Sequence, residues 1–235
     1  MLRAVAREQA IEGAVDVLHT TGTNAAEKYL PRRLLRGPVG LNEDLFHALN
    51  GAGNPVLDPV MVALGVAGLL YVAVLWAVPL WFVRDRRREA IDLVVLLAID
   101  AALVFLLKNA LQVQRPFLFP ALNAQVLTVP FDSVTDFALP SGHATRAFAA
   151  AVLLTVRTKD WRWGLPLFAY ASLVAVSRVY VGVHWPSDVL GGAVLGIAWA
   201  FAFERVTRMA AYAGRRDRLV ARLASIGRGA HRRGD

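Results

Sequence analysis

Cysteine is absent from this 235-residue chain, which removes disulfide scaffolds and every thiolate-ligated zinc or iron–sulfur site from consideration. Charge is scarce as well. Asp, Glu, Lys and Arg make up 19% of residues against 56% apolar, and the mean hydropathy is +0.45. So apolar a composition excludes a disordered chain and is high for an ordinary soluble domain. There is no internal repeat and no low-complexity stretch. What the chain has in excess is positive charge, +8 at neutral pH, and the position of those cations decides what the excess means.

A bilayer core of about 30 Å takes roughly 20 predominantly apolar helical residues to cross. Five segments meet or approach that length: Val56–Val83, Ile91–Leu107, Ala144–Val156, Leu165–Val183 and Val189–Phe203. The expected fold is therefore all-α, a polytopic transmembrane helix bundle of five clear spans. Residues 56–207 form the membrane domain, residues 1–55 an amphipathic interfacial segment, and residues 208–235 a basic cytoplasmic tail. Residues 1–55 hold no span and no signal-peptide apolar region. They read as short amphipathic helices, one over Leu2–Leu18 and one from an Asn42 cap through Glu43 and Asp44 to Leu49, stopped by Gly51.

The cations orient these spans. Segments 84–88, 157–162 and 204–235 hold four, three and nine of the 26 Lys and Arg residues, and all three fall on one side if the spans alternate. That side is expected to be cytoplasmic, with Trp81, Trp161 and Trp163 as interfacial anchors. Residues 1–55 fall on the other side, with six basic and six acidic residues. Cations clustered in boundary loops, not interleaved with aromatics on one face, leave nucleic-acid binding without support.

Ionisable residues at membrane depth are costly and point to function. They come in three groups: Lys108 with Arg115-Pro116, then Pro140-Ser141-Gly142-His143, then Ser177-Arg178 with His184 and Asp188. By the alternation just described, all three reach the same, non-cytoplasmic face. Lys108 and Arg115 are two helical turns apart and can share a face until Pro116. Arg178 offers a planar fork suited to a tetrahedral oxyanion. Ser141, Gly142 and His143 precede a helix whose free N–H groups favour an anion. The set describes a phosphate site that needs no metal and no cofactor. Asp188, four residues after His184, can accept from one imidazole nitrogen and leave the other as nucleophile, while His143 can protonate a leaving alkoxide. Taken singly, each cation could be a snorkelling interfacial residue. His19, His47 and His231 read as surface residues, and Asp132 and Asp136 as loop solvation, with one of them able to restrain Arg115 or Arg146. Asp92 and Asp100 lie within the second span without a partner that the sequence names.

These three groups, with their spacing, resemble the signature of the type 2 phosphatidic acid phosphatase family, without departure at any signature position. The resemblance implies an integral membrane phosphatase with a phosphohistidine at His184, oriented by Asp188, and with His143 as acid. It also implies that Lys108, Arg115, Ser141, Gly142, His143 and Arg178 hold the phosphate. Family members typically have six spans, one more than is visible here. The implied substrates are membrane lipids: phosphatidate, phosphatidylglycerophosphate, or polyprenyl mono- and diphosphates such as undecaprenyl diphosphate. Arg146, one turn after His143, is a candidate contact to a second phosphate. A lipid phosphotransferase of the same family would share this chemistry up to the phosphohistidine. A vanadate-dependent haloperoxidase uses a related site but does not fit the spans, and a non-enzymatic transporter or scaffold would not need two histidines with Asp188. The expected location is the inner cell membrane, with the site facing outward.

Overall fold

A computed structural model describes residues 40–132, 134–158 and 160–231, and the helix expected over Leu2–Leu18 lies outside them. Apolar runs set the architecture. Among the described residues the chain is all-helical, without a strand. The α-helices are α1 (Leu41–Asn50), α2 (Leu57–Ala67), α3 (Leu70–Leu75), α4 (Ala77–Phe82), α5 (Arg87–Leu111), α6 (Gly142–Thr158), α7 (Trp161–Tyr180), α8 (Pro186–Thr207) and α9 (Ala210–His231).

Among the described residues two stretches, Arg87–Leu118 containing α5, and α8, are long and apolar enough to cross a membrane. The span expected over residues 56–83 is broken into helices. α2 and the α3–α4 pair meet at a 67° bend, so that together they form either one bent crossing or a re-entrant loop. Hydropathy averaged over a window records composition and carries no direction, which is why the break did not register. α6 has 17 residues, about 26 Å of rise, short of a full hydrocarbon core. α7 is longer but carries Arg162 and Arg178 at its two ends.

α6 is the central helix, packed against α8, α7 and α5. Its contact with α8 is backbone to backbone. A Cβ at Gly196 would lie 2.2 Å from the Thr145 carbonyl oxygen, so only glycine permits this approach. Small residues on α6, Ala147, Ala149 and Ala151, are buried at these seams, while Phe105, Leu190 and Val194 face outward. An outward apolar surface of this kind suits a lipid solvent.

Asp92, which the sequence left without a partner, is fully buried on α5 and receives three donors from distant segments. Tyr212 Oη donates at 2.8 Å, Arg216 Nη1 lies at 2.9 Å and Arg157 Nη2 at 3.1 Å. Arg157 also pairs with Glu204 at 2.8 Å. These contacts fasten α9 to the bundle at the end of α5 remote from Lys108, so the basic tail is helical over Ala210–His231 and its Arg216 is committed inward. At the chain's other described end, the cap expected at Asn42 is not formed. α1 begins after Gly40, and the Asn42 Oδ1 accepts the Ser187 backbone N–H at 2.9 Å, a contact between segments that outcompetes the local cap.

Candidate active site

The polar groups singled out in the sequence sit at helix ends on one side of the bundle. Lys108 closes α5, Ser141 and His143 open α6, Arg178 closes α7, and His184 stands in the turn before α8, whose first turn carries Asp188. Lys108, Arg115, Gly142, His143, Arg146, Arg178 and His184 line one cavity of about 270 Å³. Ser141, next in sequence to Gly142, and Asp188, whose carboxylate faces His184, are fully buried. Leu69, Leu70, Tyr71 and Phe105 make its apolar side, and Tyr71 and Phe105 are exposed toward the surroundings.

Lys108 and Arg115 come together, though not along one helix face as their spacing predicted. α5 ends at Leu111, Gln112 takes a left-handed conformation, and Arg115 is extended, as a residue before proline must be. The two side chains meet at Asp136, whose carboxylate contacts both Lys108 Nζ and Arg115 Nη2. Arg115 also donates from Nε to the Asp136 carbonyl at 2.9 Å and from Nη1 to the Val183 carbonyl at 2.8 Å. The same Nη1 lies 3.5 Å from His184 Nε2. One guanidinium thus ties the connection between α5 and α6 to the turn before α8.

Arg178 pairs with Asp132. Asp132 and Asp136 are therefore not loop solvation: both line the cavity and neutralise its cations, and the restraint of Arg115 open to one of them is the contact that Asp136 makes. The signal available in the sequence was the unbalanced surplus of three signature cations. Local periodicity says nothing about a contact between a loop and a helix 28 or 46 residues away.

His184 is buried, with Nδ1 3.4 Å from Asp188 Oδ2, and that oxygen also accepts the Trp185 backbone N–H at 2.8 Å. With the proton on Nδ1 toward Asp188, Nε2 presents its lone pair on the side of Arg115. Burial foremost, then the charges of Arg115, Lys108 and Arg178, holds the imidazole well below its ordinary pKa. At Asp136 burial works upward, but Lys108 and Arg115 outweigh it and hold the carboxyl below the usual range. The turn carrying His184 depends on Gly182, at φ +82°, where a Cβ would fall 2.3 Å from the Gln125 carbonyl oxygen. Asn50 braces the same turn, a role with no sequence signal. Its Nδ2 donates to the carbonyls of Tyr180 at 2.7 Å and Gln125 at 2.8 Å.

Several polar groups at the site are buried and have no hydrogen-bond partner among the described residues: Ser141 Oγ, His143 Nε2, Arg178 Nε and Nη1, and Arg146 Nε. Buried donors are almost always paired, so a cluster of unmet ones around a cationic cavity is the arrangement an anion completes. Arg146 Nη1 donates to the Gly68 carbonyl at 2.9 Å, at the α2–α3 bend. Asp100, fully buried on α5, has neither oxygen hydrogen-bonded among the described residues.

Comparison with known proteins places this geometry in context. Residues 89–212 match the PAP2 superfamily. An undecaprenyl-diphosphatase of Sulfolobus acidocaldarius is 37% identical over 158 residues, covering 67% of this chain and 74% of that protein. The undecaprenyl-diphosphatase BcrC of Bacillus subtilis is 28% identical, covering 70% of this chain and 83% of that protein. Among solved structures, LpxE of Aquifex aeolicus superposes with a TM-score of 0.62 at 28% identity, covering 71% of this chain and 96% of that one.

Proposed function

This chain belongs to the PAP2 superfamily, and on that premise we propose that it is an integral membrane phosphatase that cleaves the terminal phosphate of a lipid through a phosphohistidine at His184. The observation that carries the proposal is the ring of unmet buried donors around a cavity lined by four cations and two histidines. His184 Nε2 attacks phosphorus and the bond from phosphorus to the leaving oxygen breaks. His143 delivers a proton to that oxygen, then takes one from the water that attacks the phosphohistidine and releases inorganic phosphate. Asp188 holds the His184 ring in the attacking tautomer. Lys108, Arg115 and Arg178, with Ser141 and the start of α6 at Gly142, offset charge on the transferring group.

The apolar lip of Tyr71 and Phe105 favours a substrate with a lipid tail. In this reading α2–α4 make one bent crossing and α5, α6, α7 and α8 four more. The arginine clusters lie on the cytoplasmic side, and the cavity opens on the outer face of the inner membrane. Polyprenyl diphosphate is the favoured headgroup class, because two relatives carry the name undecaprenyl-diphosphatase and Arg146 supplies a fourth cation beyond the signature. Phosphate release by the purified protein from a panel of phosphatidate, phosphatidylglycerophosphate and polyprenyl mono- and diphosphates tests the reading. Release from none of them would overturn it.

Two further results are expected. Arg146→Ala should lower turnover of a polyprenyl diphosphate by about tenfold or more while sparing the monophosphate, since a charge-assisted contact to a second phosphate is worth about 1.5–3 kcal/mol. Equal losses on both substrates would remove Arg146 from headgroup recognition. Activity should also survive incubation with EDTA, because the cationic side chains supply the charge compensation that a divalent ion provides elsewhere. Inactivation by EDTA that Mg²⁺ reverses would contradict this.

A further inference from the structure

Three of the four cations lining the cavity already touch carboxylates of the chain's own loop. Asp136 sets Oδ1 against Arg115 Nη2 and Oδ2 against Lys108 Nζ, and Asp132 sets Oδ2 against Arg178 Nη2. A carboxylate with its two oxygens on two separate cations makes the contacts that two oxygens of a phosphoryl group would make there. The donors left unmet nearby, on Ser141 and on the remaining nitrogens of Arg178, are those that a third oxygen would need.

The two partners of each contact are held differently. The cations are fixed at helix ends or in a buried loop, with side chains 8%, 4% and 1% exposed for Lys108, Arg115 and Arg178. The Asp136 side chain is 51% exposed and that of Asp132 is 12% exposed, both on the connection between α5 and α6. If one side yields, it is the loop. With its aspartates in place, four cations face two carboxylates in the cavity. With them withdrawn, the four cations face the ligand alone.

We propose that Asp136 and Asp132 are specificity-determining residues that compete with the headgroup, so that a dianionic terminal phosphate or a diphosphate enters and a singly charged phosphodiester does not. This rests on the phosphatase reading above. Exchanging a carboxylate for a phosphodiester replaces one negative charge by one negative charge and two acceptor oxygens by two, with no net electrostatic gain. A terminal phosphate brings a second charge and a third free oxygen, which reaches the unmet donors. A site embedded in a membrane is surrounded by phosphodiester headgroups far in excess of any substrate, and discrimination there comes from making the wrong ligand displace something of equal worth.

The test uses the full-length protein in detergent and measures affinity for inorganic phosphate and for dimethyl phosphate, a soluble phosphodiester, by calorimetry. Wild type should bind phosphate and not dimethyl phosphate. Asp136→Asn and Asp132→Asn preserve shape and remove charge. Each should tighten phosphate by about tenfold, the scale of one charge-assisted contact, and should admit dimethyl phosphate. If the aspartates serve only to hold the cations in place, phosphate binding weakens instead. Unchanged or weaker phosphate binding in a variant that retains the wild-type melting temperature overturns the proposal. The two variants report independently, so misfolding of one leaves the other to decide. Failure of wild type to bind phosphate at all would overturn the phosphatase reading itself, a result distinguishable from the first.

Discussion

Replacing His184 with alanine is expected to lower phosphate release by about four orders of magnitude or more, while membrane insertion and abundance persist. The magnitude follows from what the residue does in the proposed reaction. Without the imidazole, water must attack phosphorus directly, and removal of an enzyme nucleophile that works together with its base and orienting group costs on this scale. The fold should tolerate the change, because the ring borders an existing cavity and its removal enlarges a space that is already open. Folding of the turn rests on other groups: the left-handed Gly182, the Asn50 side chain bridging Tyr180 and Gln125, and Asp188 accepting from the Trp185 N–H. Substantial turnover by the His184→Ala variant would end the nucleophile assignment, however complete the rest of the site.

His143→Ala is the second large effect, and its size depends on the substrate. A general acid contributes about 10²–10⁴ in rate, and more where the leaving group is a poor one. An alkoxide departing from a lipid monophosphate needs the proton most. A phosphate departing from a diphosphate, or nitrophenolate from p-nitrophenyl phosphate, carries its own charge more easily. Comparing wild type with His143→Ala on all three should give the greatest loss for the lipid monophosphate and the smallest for p-nitrophenyl phosphate. Equal losses would mean that His143 supports phosphate binding and does not deliver a proton. Its position allows either measurement to be clean: Nε2 is buried and has no hydrogen-bond partner among the described residues, so alanine breaks no visible bond.

The sequence already pointed to a shared face for these groups, since lysine, arginine and histidine stand out sharply at the ends of apolar runs. Alternation of spans alone carried Lys108, His143, Arg178 and Asp188 to one side, and the cavity brings their neighbourhoods together. What was illegible was how they are held. Arg115 looked like a helical companion of Lys108, yet the helix stops at Leu111 and the pair is joined through Asp136. Asp132 and Asp136 looked like loop solvation because nothing local distinguishes an aspartate facing water from one facing an arginine 46 residues away. Asp92 stood out as a carboxylate in an apolar helix, but Tyr212 and Arg216 lie some 120 residues on, beyond any periodicity. Asn42 had the right chemistry for a cap, and a backbone N–H on α8 took its oxygen instead. The bend at Gly68 likewise depends on packing, since the run from Val56 to Val83 is apolar on both sides of it.

The central claim is a covalent phosphoryl group on His184, and the most direct measurement is to trap it. Purified protein mixed briefly with a lipid substrate labelled at its terminal phosphorus, quenched in alkali and mapped by mass spectrometry should carry a phosphoramidate on His184. The adduct should be stable to base and lost in acid, and it should be absent from His184→Ala. Label on a different residue, or steady turnover by wild type with no covalent label at the shortest times, would contradict the account.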